Sequence, residues 1–127
     1  MDTKYFEKIR ILDGGMGQEL LSKGLISKGT LWSASALIDK EFHKLVIDAH
    51  ISYINAGADI IVTNNFSARK IRFIQNKVVD KFQYANEQAG ILANKAKEIS
   101  KQNILIAGSL PSQSDTYVED ERSSSEI

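Results

Sequence analysis

The alternation of short apolar runs with longer helical stretches constrains the fold of this chain most. Three runs, too short for helices and largely apolar on both faces, occupy residues 9–13, 60–63 and 104–107. Such runs are typical of strands buried in a parallel sheet. Between them, apolar residues recur every three or four positions, which is the spacing of an amphipathic helix. The sequence therefore predicts the order strand, helix, strand, helix, strand in an α/β fold.

Two long helices are predicted between the strands. The first covers residues 40–56, with Asp39 before it as the N-cap and Gly57 after it as the stop signal. The second helical region begins near Ser67, and its apolar stripe runs from residue 78 to residue 99 in alternate steps of four and three. Small residues in the middle of this stripe favour close packing of the helix on a sheet.

A shorter helix is predicted at residues 16–23, directly after the first strand. Gly24 follows as its C-cap, because glycine takes a positive φ without strain from a Cβ. An irregular stretch then extends through Trp32. This arrangement places a glycine-rich turn between the first strand and its helix.

The charge and composition of the chain exclude several classes of partner. Sixteen basic residues balance sixteen acidic ones, so no net field favours nucleic acid or an anionic membrane. No apolar run approaches the roughly 18 residues that cross a bilayer, and a cytoplasmic location is expected. The chain has no cysteine, which excludes a thiolate metal site within it. His43 and His50 lie seven positions apart, not at the spacing that brings two imidazoles onto one metal.

The residues that follow the three strands are the candidates for a functional site. In parallel α/β folds the site lies at the carboxyl ends of the strands, so these segments should face one mouth. They are residues 13–17, 63–66 and 108–111. The sequence thus predicts one shared site built from three strand ends.

The glycine turn after the first strand does not have the pattern of a nucleotide site. A dinucleotide motif would need a third glycine at position 20, which is Leu20, and Asp13 puts a carboxylate where a phosphate would lie. A carboxylate beside flexible glycines suits an ammonium group better, as in an amino-acid site. Alternatively, Asp13 caps the helix that starts near Met16. Spacing alone leaves both interpretations open.

The order of motifs resembles one family. The chain carries, in sequence, Asp13-Gly14-Gly15-Met16-Gly17-x-Glu19-Leu20, then Trp32, then His50-x-x-Tyr53-x-x-Ala56-Gly57-Ala58-Asp59-Ile60-Ile61-x-Thr63-Asn64-x-Phe66, then Ala107-Gly108-Ser109-Leu110. This arrangement resembles the homocysteine-binding domain family. The family includes homocysteine and betaine-homocysteine S-methyltransferases and the first domain of cobalamin-dependent methionine synthase. Gln18 stands where relatives often carry threonine.

The resemblance implies a fold, a reaction and a cofactor. The fold is the N-terminal part, about three β/α units, of a (β/α)8 TIM barrel, with residues 1–127 as a single incomplete domain. The reaction transfers a methyl group from S-methylmethionine, betaine or a methylated carrier to homocysteine, forming methionine. Zinc on three cysteine thiolates binds the homocysteine sulfur as thiolate. Those cysteines lie on later strands, so this segment of the enzyme is expected to be inactive alone.

The resemblance also implies which residues bind substrate. Asp13 and Gly14 match positions that hold the amino-acid end of homocysteine, and Thr63 matches a threonine that lines the same pocket. No residue is given a catalytic or metal-binding role. For Asn64, Phe66 and Trp32, both a place at the site mouth and a packing role are considered, and Ser109 is interpreted as a turn residue. His50 and Tyr53 are interpreted as structural, because they belong to a helix rather than a strand end.

The sequence also allows two other interpretations of the chain, and it carries a helix-start pattern near its C-terminus. The chain could be a non-catalytic truncated barrel fragment that serves in assembly or regulation through an exposed strand edge. It could also belong to another (β/α)8 or doubly wound enzyme with a different substrate. Ser123-x-x-Glu126 matches the start signal of a further helix, with a flexible polar tail as the other interpretation. The methyl donor and the oligomeric state are left open.

Overall fold

The computed structural model describes residues 2–112, and the predicted helix start at Ser123 lies outside them. Two parallel strands form within the described part, β1 (Ile60–Val62) and β2 (Leu105–Ala107). Ile60 lies opposite Leu105 and Val62 opposite Ala107. The predicted α/β fold with parallel strands is therefore confirmed at these two runs.

The first predicted strand is not a regular strand. Residues 9–13 make one isolated parallel bridge, from Leu12 to Ile60. The backbone N–H of Asp13 donates to Ile60 O at 3.0 Å, and that of Asp59 donates to Ile11 O at 2.8 Å. Leu105 donates to Asp59 O, so β1 lies between this segment and β2. The predicted first strand is thus reduced to one bridge, and its apolar side chains lack a covering layer: Ile9 is 95% exposed and Leu12 59%.

Residues 2–112 form five α-helices beside this small sheet, and several are extended by 3-10 turns. The helices are α1 (Met16–Ser22), α2 (Ser35–Ile38), α3 (His43–Asn55), α4 (Lys70–Gln75) and α5 (Phe82–Ser100). The 3-10 turns are Thr3–Glu7, Trp32–Ala34, Lys40–Phe42 and Val79–Lys81. The predicted helices at residues 16–23 and 40–56 correspond to α1 and α3.

The predicted glycine stop signals are present at both helix ends. Gly24 has a φ of 104° and follows Lys23, the C-cap of α1. Gly57 has a φ of 107° and follows Ala56, the C-cap of α3. Both glycines adopt the left-handed conformation that a side chain would strain.

The helical stretch predicted from about residue 40 begins as a 3-10 turn, with Asp39 at its N-cap position. Residues 40–42 form a 3-10 turn, and α3 itself begins at His43. The side chain of Asp39 makes no capping bond; its carboxylate instead pairs with Lys28 Nζ at 2.7 Å. Because the Asp39 carboxylate pairs with Lys28, it does not accept a hydrogen bond from the helix end.

The second helical region is interrupted. Its first part is α4, and the chain turns at residues 76–81 before α5 begins. Along α5 the predicted stripe is buried at Ala85, Ala89, Leu92 and Ala96, whereas Ile99 is 60% exposed. Ile99, the last apolar residue of the stripe, therefore lies outside the buried face of α5.

The core of the described part of the chain consists of two clusters of buried side chains. The larger lies among the helices and includes Leu20, Leu37, Val46, Phe73 and Leu92. The smaller joins the helices to the sheet and comprises Ile54, Ala58, Ile61, Ala93, Ala96 and Ile104. The alanines let α5 approach the sheet closely, as the sequence predicted. Within the described residues, no helix is both long and apolar enough to cross a membrane.

His50 lies inside this helical layer. Its side chain is fully buried, and neither ring nitrogen has a hydrogen-bond partner among the described residues. Burial lowers the pKa of His50 from 6.5 to about 4, because the charged imidazolium would lose its hydration. The neutral ring therefore acts as a packing group, in line with the structural role predicted for it.

The buried His50 should make stability depend on pH. Because its pKa is lower in the folded chain, protonation favours the unfolded chain as pH falls from about 6.5 toward 4. We expect the free energy of unfolding to fall by about 2 kcal/mol between pH 7.5 and pH 5 from this residue alone. Urea denaturation of the wild type and His50→Leu at both pH values measures it. An equal loss in His50→Leu would contradict this origin.

Candidate functional site

A cavity of about 570 Å³ opens at the carboxyl ends of β1 and β2. All three predicted strand-end segments contribute to its wall. The lining residues are Asp13, Gly14, Met16, Gly17, Trp32, Ser33, Val62, Thr63, Asn64, Phe66, Ser67, Arg69, Arg72 and Ser109. Its volume is in the range of small-molecule sites, so the shared mouth expected from the strand order is a candidate ligand site.

Asp13 is fixed at the wall of this cavity by the strand beside it. Its Oδ2 accepts a hydrogen bond from the backbone N–H of Val62 at 2.9 Å. The N-cap of α1 is Gly15, and no side chain caps that helix. The interpretation of Asp13 as a helix cap is therefore wrong. Burial raises the pKa of the Asp13 carboxyl, and the backbone hydrogen bonds oppose that rise.

Gly14 lies against the ring of Tyr53. A Cβ added at Gly14 would come within 2.9 Å of Tyr53 Cε1, which only glycine avoids. The Tyr53 hydroxyl donates to Gly15 O at 3.2 Å. Burial raises the pKa of Tyr53, with smaller contributions from the charges of Glu19 and Asp13, so the phenol stays protonated and able to donate. Helix α3 thereby positions the glycine turn.

Thr63 joins the loops that follow β1 and β2. Its hydroxyl donates to Asn65 Oδ1 at 2.7 Å and accepts from the backbone N–H of Ser109 at 3.1 Å. Asn65 Nδ2 in turn donates to Ser109 O and to Asn86 Oδ1, each at 3.2 Å. Because the one hydroxyl hydrogen is already donated, Thr63 can offer a ligand only an acceptor lone pair.

Three residues could have either a site role or a packing role by sequence. In the structure, Asn64 supports the loops, whereas Trp32 and Phe66 line the cavity. Asn64 is buried, and its Nδ2 donates to Ser33 O at 3.1 Å, which ties the β1 loop to the turn at Trp32–Ala34. Trp32 and Phe66 line the cavity, although each ring is more than half exposed. Trp32 also has a φ of 50°, a costly conformation for an aromatic residue. Asn64 therefore stabilises the loops, and the two rings border the opening.

Comparison with known proteins identifies the family. The model of the homocysteine S-methyltransferase family matches residues 10–126 of the chain. The chain belongs to the homocysteine S-methyltransferase family. This match confirms the resemblance inferred from the ordered strand-end motifs.

Individual relatives agree with the family match. Homocysteine S-methyltransferase 2 of Zea mays is 33% identical over 90 residues, which is 71% of this chain and 24% of the relative. Homocysteine S-methyltransferase of Escherichia coli is 33% identical over 67 residues, 53% of this chain and 21% of that protein. The chain thus spans about a quarter of the curated relatives that it matches.

The fold also matches a solved structure. The metallated form of the homocysteine methyltransferase from Escherichia coli superimposes with a TM-score of 0.72 at 28% identity. The match covers 86% of this chain and 40% of that structure. The arrangement of strands and helices around the cavity is therefore shared with an enzyme of this family.

Two cavity residues of this family member were missed by sequence reasoning. Arg69 and Arg72 line the cavity from the start of α4, after the loop that begins at Thr63. The available signal was their position just beyond a predicted strand end, with three-residue spacing that puts both on one helix face.

The chain cannot supply a thiolate ligand to a metal ion. The chain contains no cysteine. Among residues 2–112, no group of three or more histidines, aspartates or glutamates is placed to hold a metal ion. The described residues therefore offer no donor set that fits a metal site, and none of the 127 residues can supply a thiolate.

The contact between Gly14 and the Tyr53 ring can be tested with two variants, Gly14→Ala and Gly15→Ala. Gly14→Ala should lower the free energy of unfolding by about 1–3 kcal/mol, because the new Cβ overlaps the ring. Gly15→Ala should cost less than about 1 kcal/mol, since its φ of −66° suits alanine and only the N-cap preference changes. Urea denaturation compares them. Equal losses would show that the ring does not fix the turn.

The hydroxyl of Thr63 can be tested for its linking role. Thr63→Val should destabilise the chain by about 1–3 kcal/mol, because the N–H of Ser109 and the Oδ1 of Asn65 lose their partner. Thr63→Ser keeps the hydroxyl and should cost only about 0.8 kcal/mol for the lost methyl group. Thermal denaturation measures both. A smaller loss in the valine variant would contradict the network.

Proposed function

We propose that this chain forms the amino-acid-binding part of a homocysteine S-methyltransferase. The enzyme transfers a methyl group to the sulfur of homocysteine and releases methionine. Family membership supports the reaction. The observation that carries the site is the Asp13 carboxylate, fixed beside Gly14 on the wall of a cavity that opens at the strand ends.

Asp13 suits the ammonium group of the substrate. One oxygen accepts from Val62, and a carboxylate offers about four lone-pair sites, so acceptor capacity remains for a ligand. The half-buried setting has already removed part of its hydration, and burial raises its pKa. An ammonium group that approaches replaces the lost water with a charge-assisted hydrogen bond. Cation binding thus relieves the cost of holding the carboxylate in the wall.

Gly14 and Thr63 complete the proposed contacts. Gly14 lines the cavity beside Asp13, and its missing side chain leaves room for the Tyr53 ring that holds the turn. The free lone pair of the Thr63 hydroxyl accepts rather than donates, which also matches an ammonium group. Asp13 and Thr63 therefore present acceptors to the same cavity, and their chemistry favours the amino end of an amino acid.

The complete enzyme is proposed to be a (β/α)8 barrel in which these residues form the N-terminal β/α units. Zinc on cysteines outside this chain would bind the homocysteine sulfur, and the 127 residues alone would be inactive. The donor is S-methylmethionine, betaine or a methylated carrier. A cytoplasmic location stays a prediction.

Calorimetric titration of homocysteine into the full protein tests the role of Asp13. Asp13→Asn keeps an acceptor for Val62 but removes the charge, so we expect a loss of about 1.5–3 kcal/mol, roughly 10- to 150-fold in affinity. Wild-type affinity should also fall as acid protonates Asp13, starting at higher pH than for an ordinary aspartate.

Asp48→Asn is the matched control for this titration. Asp48 pairs with Lys44 on α3, outside the cavity lining, and its variant should bind homocysteine as the wild type does. Unchanged affinity in Asp13→Asn would remove Asp13 from the site and leave the proposed function without its main support.

A further inference from the structure

Three hydrogen-bonded side chains connect α5 to the cavity wall at the end of β1. Asn65, in the loop after β1, donates from its Nδ2 to Asn86 Oδ1 on α5 at 3.2 Å. The hydroxyl of Thr63 donates to Asn65 Oδ1 at 2.7 Å. Of these three described residues, only Thr63 lines the cavity. The proposed function uses Thr63 and gives the two asparagines no role.

Backbone carbonyls fix the direction of the hydrogen bonds at the Asn86 end. Asn86 Nδ2 donates to Phe82 O at 2.9 Å and to Ala68 O at 3.3 Å. A carbonyl oxygen can only accept, so the amino side of this amide must face the two carbonyls, and both of its hydrogens are used. The Oδ1 of Asn86 therefore faces Asn65 and requires a donor there.

The same argument fixes the amide of Asn65. Its Nδ2 donates to Asn86 Oδ1 and to Ser109 O, which uses both hydrogens and turns its Oδ1 toward Thr63. Because that oxygen can only accept, the Thr63 hydroxyl must donate to it. The backbone N–H of Ser109 donates to Thr63 Oγ1 at 3.1 Å and occupies one of its two lone pairs. Thr63 is left with one acceptor lone pair and no hydrogen to donate.

The backbone holds Asn65 in the position that this arrangement needs. Its N–H donates to Thr63 O at 2.9 Å, and its carbonyl accepts from the N–H of Ala68 at 3.0 Å. Both main-chain groups are therefore used in the turn between β1 and α4. The amide is also half-buried, where hydrogen bonds are stronger than in water. The direction of the Thr63 hydroxyl is thus set before a ligand arrives.

We propose that Asn65 is a positioning residue that orients the amino-acid substrate by holding the hydrogen of the Thr63 hydroxyl. This inference rests on the proposed function, because it assumes that Thr63 faces the ammonium group. With its hydrogen held by Asn65, Thr63 accepts from an ammonium group and cannot donate to a carboxylate. A hydroxyl released from Asn65 could rotate and donate to a carboxylate instead. Asn65 thus makes this part of the wall select the amino end of the substrate.

The test compares two ligands that differ only in the ammonium group. Homocysteine and 4-sulfanylbutanoate share the thiol and the carboxylate, so the ratio of their affinities isolates the ammonium contacts. In the full wild-type enzyme, calorimetry should show homocysteine binding at least about tenfold more tightly. Asn65→Leu removes the amide at similar side-chain size and should lower that ratio about three- to tenfold, the size of one hydrogen bond.

Asn94→Leu is the matched control for this variant. Asn94 lies exposed on α5, outside the cavity lining, and its Nδ2 donates to Gly90 O at 2.9 Å. The control should keep the wild-type ratio. An equal fall in Asn94→Leu would show a general effect of losing an amide and would overturn the specific role of Asn65.

A double-mutant cycle separates positioning from direct contact. Asn65→Leu added to Thr63→Val should lower the ratio no further, because the hydroxyl through which Asn65 acts is gone. A further fall of more than about twofold would mean that Asn65 acts independently of Thr63, contrary to the proposal.

Neutron diffraction on the full wild-type enzyme covers the case in which Asn65→Leu does not fold. The deuterium of the Thr63 hydroxyl should point at Asn65 Oδ1. A deuterium directed into the cavity would overturn the proposal without any variant.

The outcomes also separate this inference from the proposed function. A wild-type ratio preserved in Asn65→Leu removes the role of Asn65, and the proposed function stands if Asp13→Asn still lowers the ratio. Equal affinity of the wild-type enzyme for the two ligands would instead count against the proposed ammonium site itself, and the inference would fall with it.

Discussion

Two aspartate side chains join the segment before the glycine turn to the two ends of β1. Asp59 Oδ2 accepts from the N–H of Ile11 at 2.9 Å, and Asp13 Oδ2 accepts from the N–H of Val62 at 2.9 Å. These side-chain bonds add to the few backbone bonds that join the segment before the glycine turn to Asp59 and Ile60, so this segment stays aligned with β1. Each bond to a charged group contributes about 1.5–3 kcal/mol, more than a neutral one. The position of the proposed ammonium contact therefore depends on the same carboxylate that aligns the backbone.

The sequence predicted which segments line the cavity better than it predicted the type and bounds of each helix and strand. Residues after three apolar runs do line one cavity, because parallel strands deliver their carboxyl ends to the same edge of a sheet. Periodicity could not show that residues 9–13 lack a covering layer, since burial depends on what packs above them. Nor could it show that Lys28 would take the carboxylate of Asp39, because an ion pair across eleven positions has no local pattern.

Tyr53 and Arg69 show what spacing alone leaves out. The helical pattern placed Tyr53 among packing residues, and only the fold shows that its hydroxyl reaches Gly15, 38 positions earlier. Arg69 follows the loop after β1, and only the fold shows that it lines the cavity. In both cases the residue type and the element were predictable, whereas the distance between elements was not. Functional contacts between helices and strand-end loops are set by packing, which a single sequence does not encode in any short motif.

In the proposed function, the polar and sulfur ends of the substrate would be bound by different parts of one enzyme. The proposed ammonium contact needs a carboxylate fixed on rigid backbone, and the β1 strand end holds Asp13 through Val62. Activation of a thiol needs soft donors, which this chain lacks entirely. Because the two tasks use different chemistry, they can be carried by separate stretches of chain, provided that both face one mouth. The parallel strand order satisfies that condition, since each added strand brings its own carboxyl end to the same edge.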